Sequence, residues 1–228
     1  MSTSEALELR SFGRRRGRKL SERQELLMAE LLPKLSLDLS KPCGESVQAI
    51  TPQREIWLEI GFGGAEHLIW QARQNPDVTL IGCEPFEEGV VKALTAIADN
   101  GLQNVRLHAD DARAVLRWLP EKSLSRVFIL FPDPWPKKRH RKRRLVSHQT
   151  VKLLARVLRP GGELRFGTDI GDYARTGLEA ILGNGAFLWT AAGPADWRER
   201  PSDWPATRYE AKALREGRIR YYFRFHKA

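Results

Sequence analysis

What most constrains the fold of this chain is a recurring pattern rather than a repeated sequence. Short apolar runs alternate with stretches of helical character, and each run ends at an acid. The runs are Ile56–Ile60, containing Glu59; Val78–Cys83, followed by Glu84; Val105–His108, followed by Asp110-Asp111; Val127–Phe131, followed by Asp133; and Glu163–Gly167, followed by Thr168-Asp169. Helices are expected over Glu66–Gln74, Glu87–Asn100 with Gly101 as its stop, from Asp111 to Leu119, over Val146–Leu158, and from Asp169 to Leu182. Strands and helices that alternate at this length form a parallel sheet covered on both faces. Phe187–Thr190 and Ile219–Phe225 have no crossover helix evident between them and should pair antiparallel, which makes seven strands. A single acid at a strand end is as easily a helix cap or turn residue. A row of them at the carboxyl ends, where open α/β sheets bind ligands, points to a site.

The segment before this pattern reads differently. Ser21-Glu22-Arg23-Gln24 is a capping box that opens an amphipathic helix with Leu27, Leu31 and Leu35 on one stripe. Residues 1–50 are therefore read as a basic N-terminal arm, a helix and a linker (Lys41 to Pro52), and 51–228 as the α/β domain. The arm is expected to be mobile until a partner binds. No stretch approaches the roughly 20 apolar residues that span a bilayer, and Met1 to Arg10 lacks the apolar core of a secretory signal. Cys43 and Cys83 make neither a disulfide framework nor a metal-ligand set, so reduced thiols, a cytoplasmic location and no metal are expected.

The net charge of +10 is concentrated in two runs: six Lys/Arg and no acid from Arg10 to Lys19, and seven with no acid from Lys137 to Arg144. This is an electrostatic footprint for phosphates, with nucleic acid ranked above an acidic membrane surface. The second run follows Phe131-Pro132-Asp133-Pro134-Trp135-Pro136 directly. A carboxylate locked between two prolines at the end of a buried strand thus adjoins a cationic rail.

The glycine turn Gly61-Phe62-Gly63-Gly64 departs from the dinucleotide fingerprint, whose third glycine would fall at Glu66. Glu59, just before it, would oppose a pyrophosphate but attract an amino-bearing ligand. Glu84 is placed to accept from both hydroxyls of a ribose, and Asp111 to take an adenine amino group. An adenosine whose other end is a sulfonium and an amino acid, S-adenosylmethionine, fits this set.

The chain resembles the bacterial tRNA (guanine-N7)-methyltransferases, within the Rossmann-like class I S-adenosylmethionine-dependent methyltransferases. The likeness runs from about Ile56 to the C-terminus. It is carried by Leu58-Glu59-Ile60-Gly61-Phe62-Gly63-Gly64, by Phe131-Pro132-Asp133-Pro134-Trp135 with Lys137, by Gly167-Thr168-Asp169 with Tyr173, and by Thr207-Arg208-Tyr209-Glu210, where the family usually has Lys-Phe in the middle. The resemblance implies that Glu59, Gly61, Gly63, Glu84, Asp111 and Asp133 line the cofactor pocket, and that Lys137, Asp169, Thr207, Arg208, Tyr209 and Glu210 meet the substrate. Arg139, His140, Arg141, Lys142, Arg143 and Arg144 would contact RNA. The implied reaction is methylation of N7 of a tRNA guanine, at variable-loop position 46, by a monomer or homodimer without obligate protein partners.

Guanine N7 already carries an in-plane lone pair, so the chemistry asks for positioning rather than a base. Asp133 is the candidate catalytic residue, stabilising positive charge as it moves onto the purine. Asp169 and Glu210 would accept from guanine N1–H and the N2 amino group, and Trp135 or Tyr209 could stack on the base. No histidine is assigned a catalytic role. The competing readings are a class I methyltransferase acting on another RNA or a small molecule, and an RNA-binding protein that keeps the fold without turnover.

Overall fold

The computed structural model describes residues 15–43 and 55–228. The expected linker from residue 44 on, and the basic run before Arg15, lie outside them. At the N-terminus, Ser21 caps α1 (Glu22–Leu26): Gln24 N–H donates to the Ser21 hydroxyl, and Ser21 N–H donates to the Gln24 side chain at 3.0 Å. The helix continues through a π-helical turn (Leu27–Leu31) into α2 (Leu32–Leu35). Pro33 follows that turn, and Leu32 N–H reaches back five residues to the Leu27 carbonyl. A proline clashes with the carbonyl four residues before it, and a local slip in hydrogen bonding relieves such a clash. Leu35 packs into the core, and Leu37 N–H donates to Leu107 O at 3.0 Å, extending the sheet edge.

The sheet comprises β1 (Ile56–Ile60), β2 (Thr79–Cys83), β3 (Val105–His108), β4 (Leu124–Leu130), β5 (Leu158–Thr168), β6 (Phe187–Trp189) and β7 (Tyr221–Lys227), in the order β3-β2-β1-β4-β5-β7-β6. The first five pair in parallel; β7 runs antiparallel to both β5 and β6. The expected antiparallel pair forms, and β7 inserts itself between β5 and β6. Helices α3 (Glu66–Gln74), α4 (Glu87–Asn100), α5 (Ala112–Trp118), α6 (His148–Val157) and α7 (Gly171–Leu182) connect the strands. Two short helices, α8 (Ala195–Arg198) and α9 (Arg208–Arg215), lie between β6 and β7.

Every residue of β1 and β2 is buried, as a parallel sheet covered on both faces requires. Alternation sorts them. Leu58, Ile60, Val127, Ile129, Leu164 and Phe166 join the core under α5, α6 and α7, whereas Trp57, Leu80, Phe128 and Leu130 face α3 and α4. Strand β4 starts three residues earlier than its apolar run, because Ser125 and Arg126 find partners in Glu55 and Glu163. Likewise β5 begins before Pro160-Gly161-Gly162, Leu158 pairing with Leu124 across a register shift.

Candidate active site

The carboxyl ends of β1 to β4 converge on a cavity of about 270 Å³. Its lining includes Gly61 and Gly63, Glu84, Asp110 and Asp111, Asp133 and Trp135, and Tyr209 from α9. The glycine turn is needed on two counts. Gly63 has φ +54°, and a Cβ there would lie 2.8 Å from the Tyr209 ring. A Cβ on Gly89 would fall 2.4 Å from the Gly63 carbonyl, so a glycine in α4 lets that helix seat against the turn.

Glu84 is locked by backbone: one oxygen accepts from Gly63 N–H at 2.8 Å, the other from Phe86 N–H at 2.9 Å. Burial pushes its carboxyl above the usual range, with the charges of Asp133 and Glu59 adding to it and the two N–H bonds opposing. Asp133 accepts no hydrogen bond from the described residues, and burial raises its carboxyl as well. Its loop leaves β4 at Phe131 (φ +48°) and turns again at Trp135 (φ +42°). Positive φ at two aromatic residues is costly and persists only where surrounding contacts enforce it. Asp111 caps α5, accepting from Arg113 N–H at 2.9 Å while pairing with the Arg113 guanidinium. Burial pushes its carboxyl up, but the bonds to Arg113 outweigh this and leave it low.

Glu59 does not line the cavity. Strand alternation turns it onto the Trp57 face, where it is 2% exposed and bonded to His67 Nδ1 at 2.7 Å. The Gln71 amide approaches the other ring nitrogen at 3.1 Å and also donates to Asp203 O at 3.0 Å. A buried carboxylate needs such a partner. The pairing of His67 and Gln71 on the inner face of α3 was the signal available in the sequence.

Residues 53–222 match the family model described as "Putative methyltransferase". A tRNA (guanine-N(7)-)-methyltransferase of Hyphomonas neptunium is 50% identical over 208 residues, covering 90% of this chain and 94% of that protein. The chain belongs to the tRNA (guanine-N(7)-)-methyltransferase family. Among solved structures, an antibiotic-related methyltransferase aligns with a TM-score of 0.58 at 17% identity, over 82% of this chain and 96% of that one. A 16S rRNA (adenine(1408)-N(1))-methyltransferase variant from Catenulisporales acidiphilia, solved with cosubstrate SAM, aligns with a TM-score of 0.54 at 16% identity, over 84% and 92%. These two likenesses bear on the fold, which is that of the class I methyltransferases.

In this methyltransferase the C-terminal motif reaches the cavity through Tyr209. Thr207 is buried and caps α9, accepting from Glu210 N–H at 3.2 Å; Thr-x-x-Glu is a capping pattern, and that was its legible meaning. Arg208 pairs with Glu66 on α3. Tyr209 lies over Gly63, its phenol pushed up by burial and by the charges of Glu84 and Asp133.

Asp169 and Glu210 lie outside the cavity lining, each tied by one oxygen. Asp169 Oδ2 accepts from Arg218 at 2.6 Å. Glu210 Oε1 accepts from the Tyr222 hydroxyl and is ion-paired with Arg200 Nε at 3.1 Å. The second oxygen of each has no protein donor among the described residues. Neither Arg200 nor Arg218 carries any sequence signal, because each is one arginine among many. Lys137 is exposed and precedes a 3-10 turn (Lys138–Arg143), which carries the cationic run along the cavity lip. Arg143 lies 5.0 Å from the Trp135 ring, and His140 meets that ring edge-on. Arg144 is buried and turned inward. On the opposite rim, Arg15 pairs with Asp110 at 2.8 Å while its carbonyl accepts from Glu87 N–H, so the described end of the arm is docked rather than loose.

Proposed function

We propose that the protein transfers a methyl group to N7 of a guanine in tRNA, at variable-loop position 46, with S-adenosylmethionine as donor. The observation that carries this reading is Asp133: a carboxylate without a hydrogen-bond partner among the described residues, at the cavity mouth, in a strained loop beside a cationic turn. The donor fits the residues present. Each Glu84 oxygen takes one backbone N–H and keeps acceptor capacity for a ribose diol, and Asp110, Asp111 and Cys83 face the same space. When bound, S-adenosylmethionine supplies an electrophilic methyl group and departs as a neutral thioether.

The chain's own work is to position the base and answer charge. Guanine N7 attacks with its lone pair, so no residue needs to remove a proton. Positive charge then develops on the purine, and Asp133 stabilises it. The free oxygens of Asp169 and Glu210 accept from guanine N1–H and the N2 amino group, a donor pattern that adenine lacks. Arg218, Arg200 and Tyr222 fix those carboxylates in orientation. Glu59 acts from beneath the glycine turn, held there by His67. Exposed residues of the 138–143 turn meet tRNA phosphates.

The test is incubation with labelled methyl donor and unmodified tRNA, followed by mapping of the product. Label should appear as 7-methylguanosine and vanish from a transcript carrying adenine at position 46. Label in another RNA, or at another base, would reassign the substrate. Donor binding with no label in any RNA would favour a binding protein without turnover.

A further inference from the structure

The cationic run contains one residue that does not belong to it physically. Arg144 is 3% exposed at its side chain, and each nitrogen of its guanidinium is engaged. Nε donates to Pro134 O at 2.9 Å, Nη1 to Thr176 Oγ1 at 2.8 Å and Nη2 to Asp172 Oδ2 at 2.7 Å. The guanidinium carbon also lies 4.7 Å from the Tyr173 ring centroid, and the Tyr173 hydroxyl accepts from Val146 N–H at 3.0 Å. Asp172, Tyr173 and Thr176 all belong to the first turns of α7, the helix that follows Asp169.

Pro134 is the residue after Asp133, inside the segment bracketed by Phe131 and Trp135 at positive φ. A strained loop holds its shape only where contacts fix it, and among the described residues Asp133 has no side-chain bond of its own to do so. We propose that Arg144 is a positioning residue for Asp133 and not a phosphate contact: its fork ties the carbonyl beside Asp133 to α7 and so sets the distance between the Asp133 and Asp169 loops. This rests on the methyl-transfer reading. Arg144 Nη1 also donates to Asp172 O at 3.4 Å, so four of the five N–H donors are spent inside the protein and the 3% exposed side chain is not placed to meet a phosphate; a lysine cannot reproduce a planar fork.

The experiment compares Arg144→Lys and the milder Thr176→Val with Arg139→Ala in the exposed turn. Backbone hydrogen exchange is followed over residues 131–138. The kcat, the KM for tRNA and the salt dependence of tRNA binding are measured alongside. Arg144→Lys should speed exchange in that segment without changing β1 or β2, and lower kcat by about 10- to 100-fold, the scale of a misplacement near 1 Å. Its tRNA KM and salt slope should stay as in the wild type. Thr176→Val should show the same signs more weakly. Arg139→Ala should raise KM and flatten the slope by about one, with loop exchange unchanged. Wild-type exchange in both inner variants, or a salt slope that falls in Arg144→Lys as in Arg139→Ala, overturns the proposal. A wild-type protein that labels no tRNA sinks the methyl-transfer reading instead, and the exchange data still decide whether Arg144 holds the loop.

Discussion

The two halves of the site hold their carboxylates by different means. At the donor half, Glu84 is fixed by two backbone N–H groups of neighbouring turns, and Asp133 by the shape of its own loop. On the proposed acceptor side, Asp169 is paired with Arg218, and Glu210 with Arg200 and the Tyr222 hydroxyl. Backbone amides do not swing away; burial pushes the Glu84 carboxyl up against their two bonds and raises Asp133, which has no such bonds among the described residues. An arginine side chain has several rotatable bonds and can give way as a base enters. The donor half is therefore built in advance, and the acceptor half is built to adapt.

Breaking the donor half should cost most. Asp133→Ala should lower single-turnover methyl transfer by at least about 10²-fold, the scale of one lost electrostatic stabiliser, with donor binding measured by calorimetry partly retained. Full activity would remove Asp133 from the chemistry. In the acceptor half, Glu210→Gln should relax guanine selectivity rather than abolish turnover. A mispaired base edge costs about 1–3 kcal/mol, so an inosine-for-guanosine transcript, lacking the N2 amino group, should lose its disadvantage in that variant. Equal discrimination by wild type and variant would place Glu210 away from the base.

The pH profile sharpens the same contrast. Asp133 is charged above its folded pKa, which burial has raised, so activity falls as pH drops through that value. The acid limb of kcat/KM should thus lie above the ordinary aspartate value of about 3.9. The stability sign is opposite. A carboxyl raised in the folded state costs stability while ionised and returns it on protonation, so Asp133→Asn should not lower the melting temperature at neutral pH. A clear drop would show that the ionised carboxylate holds the loop together. The smallest effect is expected at Thr207→Ala, which removes one helix cap worth about 1 kcal/mol and, for a chain of this size, about 2–4 °C in Tm.

The sheet was legible because its signals are local. Ile56–Ile60, Glu66–Gln74 and Glu87–Asn100 have the bounds that apolar runs and the Gly101 stop indicate. The strand-end acids, and their gathering at one edge of the sheet, follow from the same periodicity. The polar starts of β4 and β5 were not legible, since Ser125 and Arg126 become strand residues only through Glu55 and Glu163.

The sequence by itself determined the parallel sheet and the strand-end acids Glu84, Asp111 and Asp133, which line one cavity at its carboxyl edge. Period and capping depend on neighbours a few residues away. Only the tertiary structure decided which charges face the site and which support it. Glu59 turns beneath the glycines to His67, whose partner Gln71 is tied to Asp203, and Arg144 leaves the cationic rail for Asp172 and Thr176 on α7. These assignments rest on side chains meeting across tens of residues, where burial demands a partner and the sequence does not say which one arrives.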